Sequence, residues 1–468
     1  MKRVWLLLTL VLLIPLASAE KEISIGVLVD LSGPLTTYGT DIKNTLEIAK
    51  EDINKYFEEN GMDYVVKFYP EDTKVDPKVA LDKVQALYGR GINLIIGPMG
   101  SGEVKNIKEF VTSNKIIIIS PSSTALPSII GFTKPEEKKY IFRFVGTDDL
   151  QTDAIASELK DVGIKAVVIT YIGNAWGRGL YECIEPKLEG IEIGEVVEYP
   201  DPPPADFTPY IATLESAVSD LLKKYKPEEV AVITFSYEEV YTMIAQTKPD
   251  SVLFNVMWFG SDGNAKSGKI GEVCDKVIKI GHYSTLFESK GKAYDELASK
   301  YKERGYGETP YQYALNAYDA AWVLALSYVE VLNETGSYDP DAMAEKIPVV
   351  TEKYSKGEYG VYPVSGYITL NEWNDRASGD YAIWFVNQNC EWDKAGTWLF
   401  KNKTISWTYK PSLPVTTVTP TTPVTTATPT TVTTPAKPTT PVKTPTPGFE
   451  AVFAIVGLIA VAYALRRL

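Results

Sequence analysis

Three stretches decide the fold: ISIGVLVDLSGPLTTYG at residues 23–39, LIIGPMGSG at 94–102 and IIIISPSSTA at 116–125. Each begins as a run rich in Ile, Leu and Val, the pattern of a strand buried on both faces. Each then breaks into Gly, Pro, Ser and Thr, residues that turn the chain or cap a following helix. Outward from these, Val65 to Tyr69, Ala166 to Thr170 and Val230 to Phe235 read as further buried strands. Between strands, Asp41 to Tyr56 spaces Ile42, Leu46, Ala49, Ile53 and Tyr56 at helical intervals, and Val79 to Tyr88 repeats the pattern with a shorter face. Strands alternating with amphipathic helices predict an α/β, doubly wound architecture. In such sheets a ligand sits at the carboxyl ends of the strands, where helix amino termini offer unpaired N–H groups. The loops after Val29, Ile96 and Ile119 are therefore where a site is expected.

The chain ends carry signals of a different kind. Lys2 and Arg3, an apolar run from Val4 to Leu16 and the small residues Ala17-Ser18-Ala19 read as a secretory signal peptide over 1–19. No cysteine stands near the expected mature start to accept a lipid. Residues 411–447 are almost entirely Thr, Pro, Val and Ala, a composition that buries no core and favours an extended, disordered stalk open to O-glycosylation. Residues 448–468 follow as a short Gly-Phe-Glu motif, an apolar segment from Ala451 to Leu465 and Arg466-Arg467. Together with Pro447, this order resembles the archaeosortase-type carboxy-terminal sorting signal of archaeal surface proteins, which is removed in exchange for a lipid. A plain single-span anchor with its arginines inside is the alternative. Either reading tethers an exported body to the outer face of the cytoplasmic membrane.

The body from Glu20 to Lys410 is too long for one ordinary core and suits two lobes. A formal net charge of −13 argues against nucleic acid or anionic lipid as partner. Cys183, Cys274 and Cys390 have no metal-like spacing; export permits one bridge, the odd count leaves a thiol over, and the spacing designates no pair. A single histidine, His282, leaves little for Ser-His-Asp, Cys-His or zinc chemistry, so no catalytic residue, metal or cofactor is expected. Two sequons, at Asn333 and Asn402, permit N-glycans.

The Ser-Gly-Pro-Leu loop with Tyr38-Gly39, the Ile-Gly-Pro turn before Ser101 and the Ser-Pro-Ser-Ser-Thr-Ala loop together resemble the branched-chain amino-acid binding proteins of ABC importers, in the type I periplasmic-binding fold. Gly366 through Phe385 is similar to that family's late strand pair. The resemblance implies two lobes joined by three chain crossings: 20–143 plus 282–348, and 144–281 plus 349–410. His282 would then lie at a crossing. It also implies a partner permease in the membrane and capture of an amino acid without transformation. A ligand-sensing surface receptor, or a binder of amides or another small polar solute on the same fold, is the alternative.

A free amino acid presents a carboxylate and an ammonium, so its site needs convergent donors and one full negative charge. Ser101, Ser122, Ser123 and Thr124 carry hydroxyls beside backbone N–H groups at strand ends, enough for a carboxylate without an arginine. In the family these loops hold the α-carboxylate. Asp262, in the Gly-flanked turn Gly260-Ser261-Asp262-Gly263, matches the family's acidic partner of the α-amino group. Tyr38, Trp176 and Tyr237 fall where the family surrounds its ligand with side chains, and Trp176 replaces a customary smaller tyrosine. Tyr171 and Asn174, in the loop of Trp176, are expected either to line the cleft or to cap the next helix. Without a phosphate-binding loop in the chain, ATP would be handled by a separate subunit.

Overall fold

The computed structural model describes residues 21–288 and 290–413, so the expected signal peptide, nearly all of the expected stalk and the carboxy-terminal motif lie outside the described residues. Within them two separate sheets form, each with helices on its faces. The first holds β1 (Lys21–Val29), β2 (Tyr64–Asp72), β3 (Leu94–Ile96), β4 (Ile117–Ser120) and β5 (Ile141–Arg143), all parallel, in the order β2-β1-β3-β4-β5. Strands β3, β4 and the edge strand β5 are buried along their whole length, which is why their sequences show no polar alternation.

The second sheet begins with β6 (Ala166–Ile172), β7 (Glu192–Tyr199), β8 (Val230–Phe235), β9 (Met257–Gly260) and β10 (His282–Phe287), parallel in the order β7-β6-β8-β9-β10. Three antiparallel strands extend it beyond β10: β11 (Tyr381–Val386), β12 (Trp392–Leu399) and β13 (Thr404–Trp407). Both sheets reverse strand order once, between β1 and β3 and between β6 and β8. The loops leaving those strands face one another across the cleft between the lobes.

Every strand and helix expected from periodicity forms, with helices at Thr36–Glu59 and Pro77–Gly89. The expected lobe boundaries need correction. His282 to Phe287 was assigned to the first lobe, but it pairs with β9 and β11 and closes the parallel part of the second sheet. The chain crosses only after Phe287. His282 itself is a buried strand residue bonded to the Ser284 hydroxyl at 3.0 Å, and burial drives its pKa down to about 3, making it a neutral core group.

The boundary drawn at Pro348 falls inside the helix Pro340–Lys356. Proline usually ends a helix, but the buried residues Met343, Ile347, Val350 and Tyr354 lie on both sides of Pro348 and carry the helix through it. Residues up to Arg376 stay with the first lobe, where Asp375 bridges to Arg143 at the edge of β5. Of the span Gly366 to Phe385, only the part from Tyr381 is strand, and its partner is β12.

The cysteine pairing, left open by the spacing, is fixed by the fold. Cys274 and Cys390 are disulfide-bonded with Cα atoms 5.7 Å apart, tying the helix Cys274–Ile280 to the β11–β12 turn, while Cys183 is the buried free thiol. A separation of 116 residues hides this pairing from any spacing rule.

Candidate ligand-binding site

The loops after β1, β3 and β4 meet those after β6, β8 and β9 around a small cavity with about 20 Å³ of free space. Its wall is Leu35, Tyr38, Met99, Gly100, Ser101, Ser122 and Tyr313 from the first lobe, and Trp176, Tyr237, Asp262 and Gly263 from the second. The lobes are shut on one another. The Tyr38 hydroxyl donates to the carbonyls of Gly263 and Ala265, at 3.3 and 3.1 Å, and the Thr37 hydroxyl donates to Glu238 Oε1 at 2.9 Å. The Tyr311 hydroxyl donates to the Asp262 carbonyl at 2.9 Å, and the Tyr38 and Tyr311 rings stack at 4.2 Å.

Local sequence places Tyr38. The Asp30 carboxylate accepts from the N–H groups of Ser32, Gly33 and Leu35, curling the chain into the helix Thr36–Glu59. Gly39 lies against the Asp30 backbone, where a Cβ would come within 1.7 Å of the Asp30 carbonyl oxygen. Only glycine permits that approach and so fixes the ring beside it.

Ser101 begins the helix Ser101–Ser113. Its Oγ accepts from Ser123 Oγ at 3.2 Å and from the Ala125 N–H at 3.1 Å. A hydroxyl has two acceptor positions and one proton, so Ser101 has its proton left to donate toward the cavity, at a helix amino terminus. Ser122 donates to the Met99 carbonyl at 3.1 Å and presents acceptor capacity. Ser123 and Thr124 are absent from the wall. Ser123 props Ser101 from behind, and Thr124 Oγ1 is buried with no hydrogen-bond partner.

On the opposite side Asp262 is buried, and its Oδ2 accepts from the Tyr313 hydroxyl. Its Oδ1 is buried and meets no protein donor at hydrogen-bonding geometry. Burial pushes this carboxyl up to about 6, against the Tyr313 hydroxyl, the Gln151 amide and nearby backbone N–H groups, which lower it. No lysine or arginine lines the cavity. Asp262 is thus the single charge on the wall, with one oxygen uncommitted.

Trp176 and Tyr237 stack at 4.5 Å and 14° to form the aromatic part of the second lobe's wall. Asn174 caps the helix Ala175–Ile184 by accepting from the N–H groups of Trp176 and Gly177, so capping is its role, and its amide also reaches Asp201 and Tyr237. Tyr171 donates to Glu198 and stacks on Tyr181, away from the cavity wall.

Of the expected residues, Tyr38, Ser101, Ser122, Trp176, Tyr237 and Asp262 converge on one wall, and Ser123 and Thr124 stand behind it. Sequence reasoning missed Leu35, Met99, Tyr311 and Tyr313. The latter two flank Gln312 at the start of the helix Gln312–Thr335, and the run Thr309-Pro310-Tyr311, a helix-entry proline beside aromatics, was the available signal. It also missed Asp148, whose two buried carboxylate oxygens lack partners. Burial pushes its pKa well above the usual carboxylate range, and the charge of Asp262 adds to the shift. Among the described residues no group of His, Cys, Asp or Glu is arranged to hold a metal.

A family model described as periplasmic binding protein matches residues 22–361. The chain belongs to that family. A second model, the PGF-CTERM motif, matches residues 446–468. The family member is 50% identical over 385 residues to an uncharacterized protein of Methanocaldococcus jannaschii, covering 81% of this chain and 90% of that one. It is 28% identical over 363 residues to the Leu/Ile/Val-binding protein BraC3 of Rhizobium johnstonii, covering 74% and 90%. In three dimensions it resembles a leucine binding protein LivK of Thermotoga maritima, with a TM-score of 0.63 at 20% identity over 80% of this chain and 98% of the other. These agree with the type I periplasmic-binding fold of two doubly wound lobes.

Proposed function

We propose that this periplasmic binding protein captures a free amino acid outside the cell by closing its two lobes and passes it unchanged to an ABC permease in the membrane. One observation carries the reading. A narrow cavity between the lobes is lined on one side by Asp262, with its uncommitted Oδ1, and on the other by Ser101, with its available proton, at a helix amino terminus. An ammonium beside Asp262 gains a charge-assisted bond in a dry site, and a carboxylate beside Ser101 gains neutral donors and the helix end. The printed name of BraC3 is consistent with this ligand class, and the PGF-CTERM motif is consistent with tethering to the cell surface.

The mechanism follows from the lobes. Tyr38, Thr37, Tyr311 and Tyr313 of the first lobe bond to the Gly263 turn, Glu238 and Asp262 of the second. A ligand bridging Ser101 and Asp262 adds to these contacts and favours the shut form, the shape a permease would read. Isothermal titration of the intact chain with the common amino acids, and with the matching amides that lack an amino group, tests the reading. Asp262→Asn is expected to weaken amino-acid binding at least about 30-fold, in line with the cost of breaking a buried charge pair. Equal affinity for an amide lacking the amino group would remove Asp262 from the role given to it.

A further inference from the structure

The shape of the cavity near Asp262 bears on which amino acid fits. The indole of Trp176 is buried and lies flat on Tyr237. Its far edge reaches the turn that carries Asp262: a Cβ on Gly263 would sit 2.5 Å from Trp176 Cη2 and 3.0 Å from Cζ2. Glycine at 263 is therefore what lets the fused ring extend over the turn. The same Cβ would also meet the Ser236 carbonyl oxygen at 2.6 Å, so ring and carbonyl both pack onto this face of the turn and only glycine fits there. The indole is stacked on Tyr237 with its six-membered ring against Gly263, the residue after Asp262, and Trp176 and Asp262 share the cavity wall.

A ligand whose ammonium meets Asp262 carries its side chain on the same carbon as that ammonium. The first carbons of the side chain must share space with the Trp176 edge. Apart from Ser101 and Ser122, which face the carboxylate end in the reading above, the wall is apolar or aromatic through Leu35, Met99, Tyr38, Tyr237 and Tyr313, and Asp262 is its single charge. The space left free inside this wall is only about 20 Å³, room for about one water, so the shut cleft leaves little beyond what the ammonium and carboxylate need.

Resting on the amino-acid reading above, we propose that Trp176 sets the upper size of the ligand, so that this cleft selects α-amino acids with short, uncharged side chains, alanine-sized or slightly larger, over leucine-sized ones. Trp176 is then a specificity-determining residue, acting by exclusion.

Titration calorimetry of the intact chain with glycine, alanine, 2-aminobutyrate, valine, leucine and phenylalanine tests the proposal. The native protein is expected to bind alanine or 2-aminobutyrate at least about tenfold more tightly than leucine, the lower end of what a methylene or two decides in an apolar pocket. Trp176→Tyr, which shortens the ring where it meets the turn, is expected to shift the leucine-to-alanine affinity ratio at least about tenfold toward leucine. Trp176→Phe is expected to do the same, and provides a second reading if the tyrosine variant folds poorly. Leucine as the tightest native ligand overturns the proposal while leaving amino-acid capture intact. So does a common loss for all ligands in both variants, which would make Trp176 a packing residue. Absence of binding by every α-amino acid overturns the underlying reading, and this inference with it.

Discussion

Two buried aspartates near the cleft behave oppositely. Asp375, at the edge of the first sheet, has both oxygens engaged: Arg143 reaches them with Nε at 2.5 Å and Nη2 at 2.6 Å, and Lys138 Nζ adds a contact at 2.7 Å. Burial would raise its pKa, but the two cations outweigh that and hold it below the usual carboxylate range. Asp262 is also buried, meets no cation, and is pushed up to about 6 by that burial despite the Tyr313 hydroxyl, the Gln151 amide and nearby backbone N–H groups. A buried carboxylate with every lone pair answered holds structure together; one with an oxygen unanswered stores a preference for a cation that arrives from outside.

The largest expected effect breaks the satisfied member. Arg143→Met removes the bidentate partner of Asp375 and two donors to the Ser123 and Ala125 carbonyls, so the ligand-free protein is expected to lose about 3–5 kcal/mol in chemical denaturation. Asp262→Asn should leave the stability of the ligand-free protein unchanged or slightly raised in the same assay, because it deletes an under-paired charge. A comparable loss at both sites would dissolve the contrast.

Next in size is removal of the cross-link. Cys274→Ser with Cys390→Ser is expected to lower stability by about 2–4 kcal/mol in thermal or denaturant unfolding. Both cysteines lie in the second lobe away from the cavity wall, so ligand affinity measured alongside should stay within about twofold, far below the about tenfold that 1.4 kcal/mol would bring.

The pH response sharpens the comparison further. Asp262 has its pKa raised above the unfolded value, so its ionisation costs stability, fully so above about pH 6 and not at all below the ordinary carboxylate range. A ligand ammonium relieves that cost only when the carboxylate is ionised. Amino-acid affinity is therefore expected to be greatest above about pH 6 and to fall as pH drops through it, read by titration across pH 4.5–8. Asp375, lowered rather than raised, keeps its contribution through that window and loses it only as pH falls below the ordinary carboxylate range. The smallest effect belongs to Tyr38→Phe, which deletes the hydroxyl bonded to Gly263 and Ala265 across the cleft. It is expected to weaken affinity by several-fold, about 1 kcal/mol.

Much of the fold was legible because burial on both faces leaves an unbroken apolar signature, as in Ile117–Ser120 and Val230–Phe235. Ser101 was legible because its position follows from where a strand stops, whereas Asp262 was legible only through the family resemblance of its Gly-flanked turn. What stayed hidden depends on distant partners. Arg143 and Asp375 are 232 residues apart, and Cys274 and Cys390 are 116 apart, so no local pattern joins them. Tyr313 reaches Asp262 over 51 residues. Within the Ser122-Ser123-Thr124 run, all three hydroxyls are alike in sequence, and only the backbone path turns Ser122 to the wall and Ser123 behind Ser101. The crossing expected at His282 came from the family layout; the residue itself is core, the first of a fully buried strand.

The Arg143–Asp375 pair lies where two of the three crossings leave the first sheet, next to Phe144 on one and Arg376 on the other. In mechanical terms that spot is an axle. When two bodies rotate about an axle, points on it keep their distances while points at the rim travel farthest. Rigid, costly charges are therefore tolerable at the axle, since opening need never expose or stretch them. The rim carries Thr37, Tyr38 and Glu238, whose single hydrogen bonds release and re-form cheaply. The molecule thus concentrates its stiffness where motion is least and its reversibility where motion is greatest, which is how a latch is told from a hinge.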